Sequence, residues 1–366
     1  MERNTRQHFI GCLLGGAVGD ALGWPVEFLD YSQIVKDYGP AGITEMVPGE
    51  DELYEITDDT QMTLFTAEGL LQAWSSSRHY GSPPDFTTAV RHSYGNWLKT
   101  QGEAVVGSIP DSYRDGWLIT VEGLYRRRAP GSTCLSALRE GNYSDNGIVN
   151  NNSKGCGGVM RAAPAGLLAA RINNGSSATT ARLAFEIGCS SAALTHGHPS
   201  GYYPAGVLAA VIATIVTGGS LEEGIDIGLS ILEGRIGALE TVSAIRAALD
   251  LIRNQSITPS PAVIETLGGG WTGEEALAIS LYCSLVVKGD FTRGVRLAVN
   301  HSGDSDSTGS ITGNILGALL GSGAIPENWR AQLELVGEIS RIGEDLYTAF
   351  EGTEQWLKNY PPVSNC

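Results

Sequence analysis

The stretch FIGCLLGGAVGDALG, residues 9–23, carries a glycine at every fourth position, and GDSDSTGSITGNILGALLG, residues 303–321, repeats that spacing near the other end of the chain. Glycines spaced by four form a ridge without side chains on one face of a helix. Each interior glycine costs a helix about 1 kcal/mol relative to alanine, so the ridges need a reason. We hypothesise that they let the first helix and a late helix pack centrally and bring their ends together, although each ridge alone would also suit a bulky neighbour. The ridge glycines are Gly11, Gly15, Gly19, Gly23, Gly309, Gly313, Gly317 and Gly321.

Two clusters of oxygen-bearing side chains lie about 245 residues apart, Thr57-Asp58-Asp59-Thr60 and the segment 303–309. Adjacent carboxylates repel each other unless a hard cation offsets their charge, and Mg²⁺, Mn²⁺ and Ca²⁺ prefer such oxygen ligands. If folding joins the clusters, four aspartates face one space. That charge is enough to hold two divalent ions, which lie about 3.5 to 4 Å apart in a typical dinuclear site.

Each cluster also has an interpretation that needs no dinuclear site. Asp58 and Asp59 precede an amphipathic pattern, so they could simply cap a helix. Asp304-x-Asp306-x-Thr308 matches the start of an EF-hand loop, but the twelfth position is Ile315 where a bidentate Glu is required, and we reject that motif. The same residues match the nucleophile motif of haloacid-dehalogenase-like phosphatases, but no hydrophobic strand precedes them.

The charge and the cysteines restrict the class of protein. The 366 residues include 24 basic and 40 acidic side chains, a formal charge of −16 that disfavours a nucleic-acid-binding surface. Six cysteines without a C-x-x-C pair argue against zinc and against a disulfide framework, and they favour reduced thiols in the cytoplasm. The amino-terminal apolar run is broken by Asp20 and lacks a secretory cleavage site. The longest apolar stretch, 204–217, is too short to span a membrane.

Hydrophobic periodicity predicts an all-α protein with a single domain over residues 1–366. Alternating strand patterns are scarce, and Gly, Pro and Asn separate the periodic segments. The predicted helices cover residues 7–22, 60–75, 85–99, 133–140, 159–172, 178–194, 203–217, 221–233, 240–253, 274–287, 291–300, 308–321 and 329–348.

Two further segments have chemical potential. Ser153 to Arg161 is rich in glycine and runs into an apolar helix, where free backbone N–H groups could hold a phosphate or where glycine could simply form a turn. It lacks the P-loop pattern. Thr195-His196-Gly197-His198 places two imidazoles beside a helix start; a structural role is common for such residues, and a hydrogen bond to a phosphate or ribose is the functional alternative.

Together these residues resemble the ADP-ribosylglycohydrolase family, whose members include the dinitrogenase reductase-activating glycohydrolases. Five motifs occur in the family's order and span most of the chain, so their coincidence is far more specific than any one of them. The motifs are Gly15-Gly16-Ala17-Val18-Gly19-Asp20-Ala21-Leu22-Gly23-x-Pro25-x-Glu27, Thr57-Asp58-Asp59-Thr60, Lys154-Gly155-Cys156-Gly157-Gly158-Val159-Met160-Arg161-x-x-Pro164, Thr195-His196-x-His198 and Gly303-Asp304-Ser305-Asp306-Ser307-Thr308-Gly309.

The resemblance implies a compact orthogonal helical bundle with a dinuclear Mg²⁺ or Mn²⁺ cleft. The implied metal ligands are Thr57, Asp58, Asp59, Asp304, Asp306 and Ser307. Asp59 and Asp304 are the candidates for acid or base roles, with Glu27 as a third carboxylate. The implied substrate-binding residues are Ser153, Gly155, Gly157, Gly158, Met160, His196, Gly270 and Trp271, with Trp271 as a stacking surface.

The implied reaction removes ADP-ribose from a modified protein side chain. The Asp-Ser-Asp-Ser form of the last motif, Asp304 to Ser307, is more similar to the arginine-directed branch of the family than to the serine-directed branch. Hydrolysis of serine-linked or O-acetyl ADP-ribose is an alternative. A third interpretation is an immunity-type binding protein that neutralises a partner ADP-ribosyltransferase, since an acidic surface suits a basic partner. We expect no nucleic-acid or membrane partner.

Overall fold

The computed structural model describes residues 3–49, 51–104 and 112–363, and these form seventeen α-helices and no β-sheet. The all-α prediction is therefore confirmed. The helices are α1 (Arg6–Gly23), α2 (Tyr31–Tyr38), α3 (Asp58–Tyr80), α4 (Phe86–Thr100), α5 (Ser132–Glu140), α6 (Ala163–Ile172), α7 (Ser177–Ala192), α8 (Pro199–Val216), α9 (Leu221–Leu232), α10 (Leu239–Arg253), α11 (Pro261–Ile264), α12 (Gly273–Val286), α13 (Phe291–Val299), α14 (Ser305–Leu320), α15 (Glu327–Ala331), α16 (Val336–Thr348) and α17 (Glu354–Asn359).

The two glycine ridges pack against each other. A Cβ atom added at Gly15 would lie 2.2 Å from the carbonyl oxygen of Gly313, and one added at Gly313 would lie 1.9 Å from the carbonyl oxygen of Gly15. Gly19 and Gly309 face each other in the same way, which makes α1 and α14 antiparallel. Both helices are largely buried, so the predicted central packing is confirmed and the bulky-neighbour alternative is wrong for this pair. The end of α1 therefore lies beside the start of α14.

The buried apolar residues form one large cluster that includes side chains from Phe9 to Tyr360, and a smaller cluster that joins α10, α12 and α13. Two helical stretches, Arg6–Val26 and Pro199–Val216, are long and apolar enough to span a membrane on length and composition alone. The second begins before the predicted apolar run and reaches 18 residues, so the prediction that it is too short is wrong. Their apolar windows are 83% and 89% buried, and packing inside the protein accounts for their composition.

Helix boundaries differ from the predictions where distant segments intervene. The predicted helix 329–348 is divided into α15 and α16, because Tyr54 N–H donates to Gln332 over 2.8 Å and Tyr54 accepts from Glu334 N–H over 3.0 Å. The predicted helix 159–172 starts only at Ala163, after a short 3₁₀ turn over Cys156–Gly158. Five cysteines are free thiols, and Cys366 lies outside the described residues.

Candidate active site

Asp20, near the end of α1, holds the start of α3 in place. Its buried carboxylate accepts hydrogen bonds from the Thr57 N–H at 3.0 Å, the Thr57 hydroxyl at 2.9 Å and the Thr60 N–H at 3.1 Å. These groups lie at the amino-terminal end of α3, where backbone donors lack intrahelical partners. Asp20 was not among the predicted site residues. Its signals in the sequence were its place in the first family motif and its acidic side chain within an apolar, glycine-rich helix.

The carboxylates of Asp58 and Asp59 do not cap the helix that they begin. Thr57 is the N-cap, and its hydroxyl accepts from the Asp59 N–H at 3.3 Å. Asp58 Oδ2 instead accepts from the N–H of Gly131 at 3.0 Å, and Asp59 Oδ1 is buried without a hydrogen-bond partner. Neither carboxylate therefore caps α3, but both lie in its first turn, where the helix dipole favours negative charge, so only the capping part of the alternative interpretation is wrong.

The segment 303–309 lies within hydrogen-bonding distance of the cluster at Thr57 to Thr60. The Thr57 hydroxyl lies 3.4 Å from Asp306 Oδ2, and the Ser307 hydroxyl lies 3.4 Å from Asp59 Oδ2. Carboxylate oxygens of Glu27, Asp304 and Asp306 lie within 4.8 Å of one another. Gly269 helps to position Asp304, because its carbonyl accepts from the Asp304 N–H at 2.8 Å.

Burial and mutual repulsion raise the pKa values of these carboxyl groups. Burial, followed by the nearby charge of Asp306, raises the pKa of Glu27 to about 10, and the same causes raise that of Asp58 to about 8. Burial also raises the pKa of Asp59 and of Asp304 well above the ordinary range.

The carboxylate cluster fits a hard divalent cation. Across the described part of the chain, no lysine, arginine or histidine forms an ion pair with it. Asp59 Oδ1 and Glu27 Oε2 are buried without partners. Carboxylate oxygens that repel one another, two of them without a hydrogen-bond donor, form an environment that Mg²⁺ or Mn²⁺ stabilises.

The raised pKa values predict how metal and pH act on stability. A carboxyl group whose folded pKa exceeds its unfolded value of about 4 favours folding at acidic pH, and that contribution is lost as the pH rises towards the folded value, about 8 for Asp58. Cation-free protein should therefore melt at a lower temperature at about pH 8 than at about pH 5. Mg²⁺ or Mn²⁺ should raise the melting temperature more at about pH 8, because it binds the deprotonated groups.

Thermal melts with and without a chelator, at both pH values, test this expectation. The Asp306→Asn variant is the control, because one fewer titrating carboxyl should reduce both the pH dependence and the response to metal. Equal metal-induced shifts at the two pH values in the wild-type chain would contradict the interpretation.

The carboxylates line a cleft of about 370 Å³. Most of the predicted site residues line this cleft, and it also contains residues that carried no sequence signal of their own, among them Phe28 and the segment 129–134. Cys156 lies within the predicted glycine loop but was not singled out; its thiol donates to Asp304 Oδ2 over 2.6 Å. The predicted residues on the cleft wall are Glu27, Asp58, Asp59, Gly155, Gly157, Met160, His196, Trp271, Asp304, Asp306 and Ser307.

Four predicted site residues lie behind the wall rather than on it. Thr57 is fully buried at the start of α3. The Ser153 hydroxyl lies 3.4 Å from the Gly155 N–H and supports the glycine loop. Gly158 and Gly270 allow neighbouring atoms to approach closely. A Cβ atom added at Gly158 would lie 2.5 Å from the carbonyl oxygen of Gly201, and one added at Gly270 would lie 2.9 Å from the methyl carbon of Thr308.

The glycine loop is fastened to the segment that carries Trp271. The Cys156 N–H donates to the Trp271 carbonyl at 3.1 Å, and the Gly273 N–H donates to the Lys154 carbonyl at 2.8 Å. The Trp271 ring stacks on Phe28, with ring centroids 5.4 Å apart, and both rings are substantially exposed. An aromatic pair thus borders the cleft next to Glu27.

The fold and the cleft define an all-helical protein with a cluster of carboxylates that could hold a metal ion, beside a glycine-rich loop. The chain belongs to the ADP-ribosylglycohydrolase family, whose family model matches residues 1–356, so the resemblance of the sequence motifs is confirmed. Members of this family are glycohydrolases that act on ADP-ribosylated substrates.

Individual relatives match the chain over most of its length. "ADP-ribosylarginine hydrolase Tri1" of Serratia proteamaculans is 25% identical over 92% of this chain and 78% of its own. "ADP-ribosylhydrolase ARH3" of Bos taurus is 24% identical over 94% of this chain and 93% of its own. A solved "ADP-ribosylglycohydrolase-related protein complex" is similar with a TM-score of 0.61 and 25% identity, covering 95% of this chain and 99% of that one.

Proposed function

We propose that the chain is a metal-dependent ADP-ribosylhydrolase that cleaves the N-glycosidic bond between ADP-ribose and an arginine side chain. The observation that carries the proposal is that Glu27 and the two distant aspartate clusters converge in one cleft, beside the glycine loop. The negative charge of the carboxylates suits a divalent cation, and the backbone and imidazole N–H groups of the glycine loop and His196 suit a diphosphate.

Two divalent ions, Mg²⁺ or Mn²⁺, form part of the proposal. When bound, such ions polarise oxygen atoms, lower the pKa of water and orient a sugar through its hydroxyl groups. Thr57 is buried and partly satisfied by Asp20, so its contribution as a ligand would come through the hydroxyl oxygen. The residues that would hold the ions are Thr57, Asp58, Asp59, Asp304, Asp306 and Ser307.

The chain's own carboxyl groups supply the proton transfers. Cleavage breaks the bond between the anomeric carbon and the guanidine nitrogen, and a water oxygen replaces that nitrogen. One carboxylate accepts the proton that the water loses, and a carboxylic acid returns a proton to the departing nitrogen. Asp59 and Asp304 are the candidates for these roles. Glu27 is a third candidate, because it lines the same cleft and its carboxylate oxygen lies within 4.8 Å of those of Asp304 and Asp306.

The exposed aromatic rings of the cleft favour arginine over neutral leaving groups. A guanidinium group is cationic, and the exposed rings of Phe28 and Trp271 line the cleft. Aromatic faces attract a guanidinium. Serine-linked and O-acetyl ADP-ribose have neutral leaving groups and would gain nothing from this environment.

A comparison of three substrates tests the proposed function. Arginine-linked, serine-linked and O-acetyl ADP-ribose are incubated in parallel with purified protein and Mg²⁺ or Mn²⁺, with a chelator as the control, and released ADP-ribose is measured. We expect kcat/KM to be at least about tenfold higher for the arginine-linked substrate, a difference of about 1.4 kcal/mol in transition-state binding. A higher kcat/KM for the serine-linked substrate would show that the enzyme cleaves the serine linkage rather than the arginine linkage. The absence of turnover with all three substrates would contradict the proposal that the chain is an enzyme.

A further inference from the structure

Arg161 is a buried cation behind the glycine loop. Only 1% of its surface is exposed, and within the described residues it forms no ion pair with a carboxylate. Its guanidinium donates to the Gly157 carbonyl at 2.6 Å, the Tyr94 hydroxyl at 2.8 Å and the Thr195 hydroxyl at 2.6 Å. Arg161 is close enough to Asp58 for its charge to oppose the rise in that carboxyl group's pKa, but no ion pair joins the two side chains. A buried cation without a direct ionic partner is costly, which suggests that Arg161 is retained for a purpose beyond packing.

The hydrogen bonds of Arg161 restrict the proton of Thr195. A guanidinium is always a donor, so the Thr195 oxygen accepts from Arg161. The Thr195 hydroxyl proton then has three possible acceptors: His196 Nδ1 at 2.8 Å, the Ala192 carbonyl at 3.3 Å and the Cys134 sulfur, which is a weak acceptor. Nδ1 makes the shorter of the two measured contacts, and we take the hydroxyl as its donor because the Thr195 oxygen already accepts from Arg161. A neutral imidazole that accepts at Nδ1 carries its proton on Nε2.

His196 remains neutral in this environment. Burial, followed by the charge of Arg161, lowers the pKa of His196 to about 3. Its Nε2 atom lies between two glycines of the loop, because a Cβ atom added at Gly155 or Gly157 would lie 3.3 or 3.4 Å from it. Nε2 has no hydrogen-bond partner within the described residues, and His196 lines the cleft although it is 99% buried.

We propose that Arg161 and Thr195 are positioning residues that fix His196 as the neutral tautomer protonated at Nε2, so that the cleft presents one aligned N–H donor to a phosphate oxygen. The inference rests on the proposed function, which supplies the diphosphate of ADP-ribose as the acceptor. Gly155 and Gly157 leave space for the imidazole edge to face that acceptor. The Arg161 charge, held behind the loop, adds a fixed positive charge towards the same anion.

Nitrogen-15 NMR of the histidine side chains tests the tautomer directly in the full-length, Mg²⁺-loaded protein. The His196 signals are assigned by their loss in a His196→Gln variant. At about pH 7 we expect a protonated Nε2 and an unprotonated Nδ1 in the wild-type chain and in Thr195→Ser, which keeps the hydroxyl. Thr195→Val, which removes it, should show a mixture of tautomers. A wild-type His196 protonated at Nδ1 would overturn the inference without any variant.

Binding of ADP-ribose separates this inference from the proposed function. By calorimetry, Thr195→Val should weaken ADP-ribose binding about tenfold and Thr195→Ser less than about threefold, since a hydrogen bond to a charged group is at stake. In turnover the loss should appear in KM rather than kcat, because the diphosphate is bound alike before and during reaction. Equal affinity of Thr195→Val and the wild type for ADP-ribose would contradict the proposal that Thr195 positions His196 for binding. A wild-type chain with the expected tautomer but no affinity for ADP-ribose would instead contradict the proposed function.

Discussion

Replacing Asp304 with alanine is expected to lower kcat/KM for an ADP-ribosyl-arginine substrate by at least about a thousandfold, equivalent to about 4 kcal/mol of transition-state stabilisation. Asp304 lies at the start of α14, and its carboxylate approaches both Glu27 and Asp306. The substitution would remove a proposed metal ligand and a candidate acid or base together. Metal-free Asp304→Ala should nevertheless be at least as stable as the metal-free wild type, because one buried, repelling carboxyl group is gone.

Asp290→Ala is a matched control for that variant. Asp290 also precedes a helix, but it is exposed and its side chain caps α13 by accepting from the Arg293 N–H at 3.0 Å. Its loss should reduce stability by about 1 kcal/mol and leave turnover unchanged. Activity of Asp304→Ala within tenfold of the wild type would remove Asp304 from the reaction.

Gly313→Ala is expected to lower the free energy of unfolding by at least about 3 kcal/mol or to prevent folding. The new Cβ atom would lie 1.9 Å from the carbonyl oxygen of Gly15 and 2.5 Å from its carbonyl carbon. Both are backbone atoms in the middle of α1, so no side-chain rotation relieves the clash. The two helices would have to separate, and the separation would also disturb Asp20 and Asp304 at their ends. Thermal and urea unfolding measure the effect.

Gly337→Ala provides the comparison for the glycine ridge. Gly337 is exposed within α16, and an added Cβ atom would meet nothing within 4 Å. Because alanine is favoured over glycine in a helix by up to about 1 kcal/mol, this variant should be as stable as the wild type or slightly more stable. If Gly313→Ala unfolds at the same temperature and urea concentration as the wild type, the contact between the glycine ridges does not hold the two helices together.

The central helix pair could be predicted from the sequence because both ridges share the same four-residue spacing and lack side chains, which makes them complementary. Asp20 could not be assigned in the same way. Taken locally, it is an acidic break in an apolar helix, and only the position of α3 reveals that its carboxylate satisfies the donors of Thr57 and Thr60. Its role depends on a contact between segments 37 residues apart in the chain.

Other features depend on contacts that no local pattern encodes. The division between α15 and α16 follows from pairing with Tyr54, far earlier in the chain. The cleft wall formed by residues 129–134 has no distinctive motif and is positioned in part by the hydrogen bond from Gly131 to Asp58. In contrast, residue type indicates the chemistry of the carboxylate clusters and of the glycine loop, and the family resemblance combines them into one site. Most of the predicted site residues lie on the cleft wall.

The most direct measurement of the central claim is anomalous diffraction from crystals of the wild-type chain grown with Mn²⁺, recorded on both sides of the manganese absorption edge. If the two aspartate clusters form one metal centre, two manganese peaks should lie in the cleft between Asp58 and Asp59 on one side and Asp304 and Asp306 on the other. A cleft without manganese in these crystals would contradict the account.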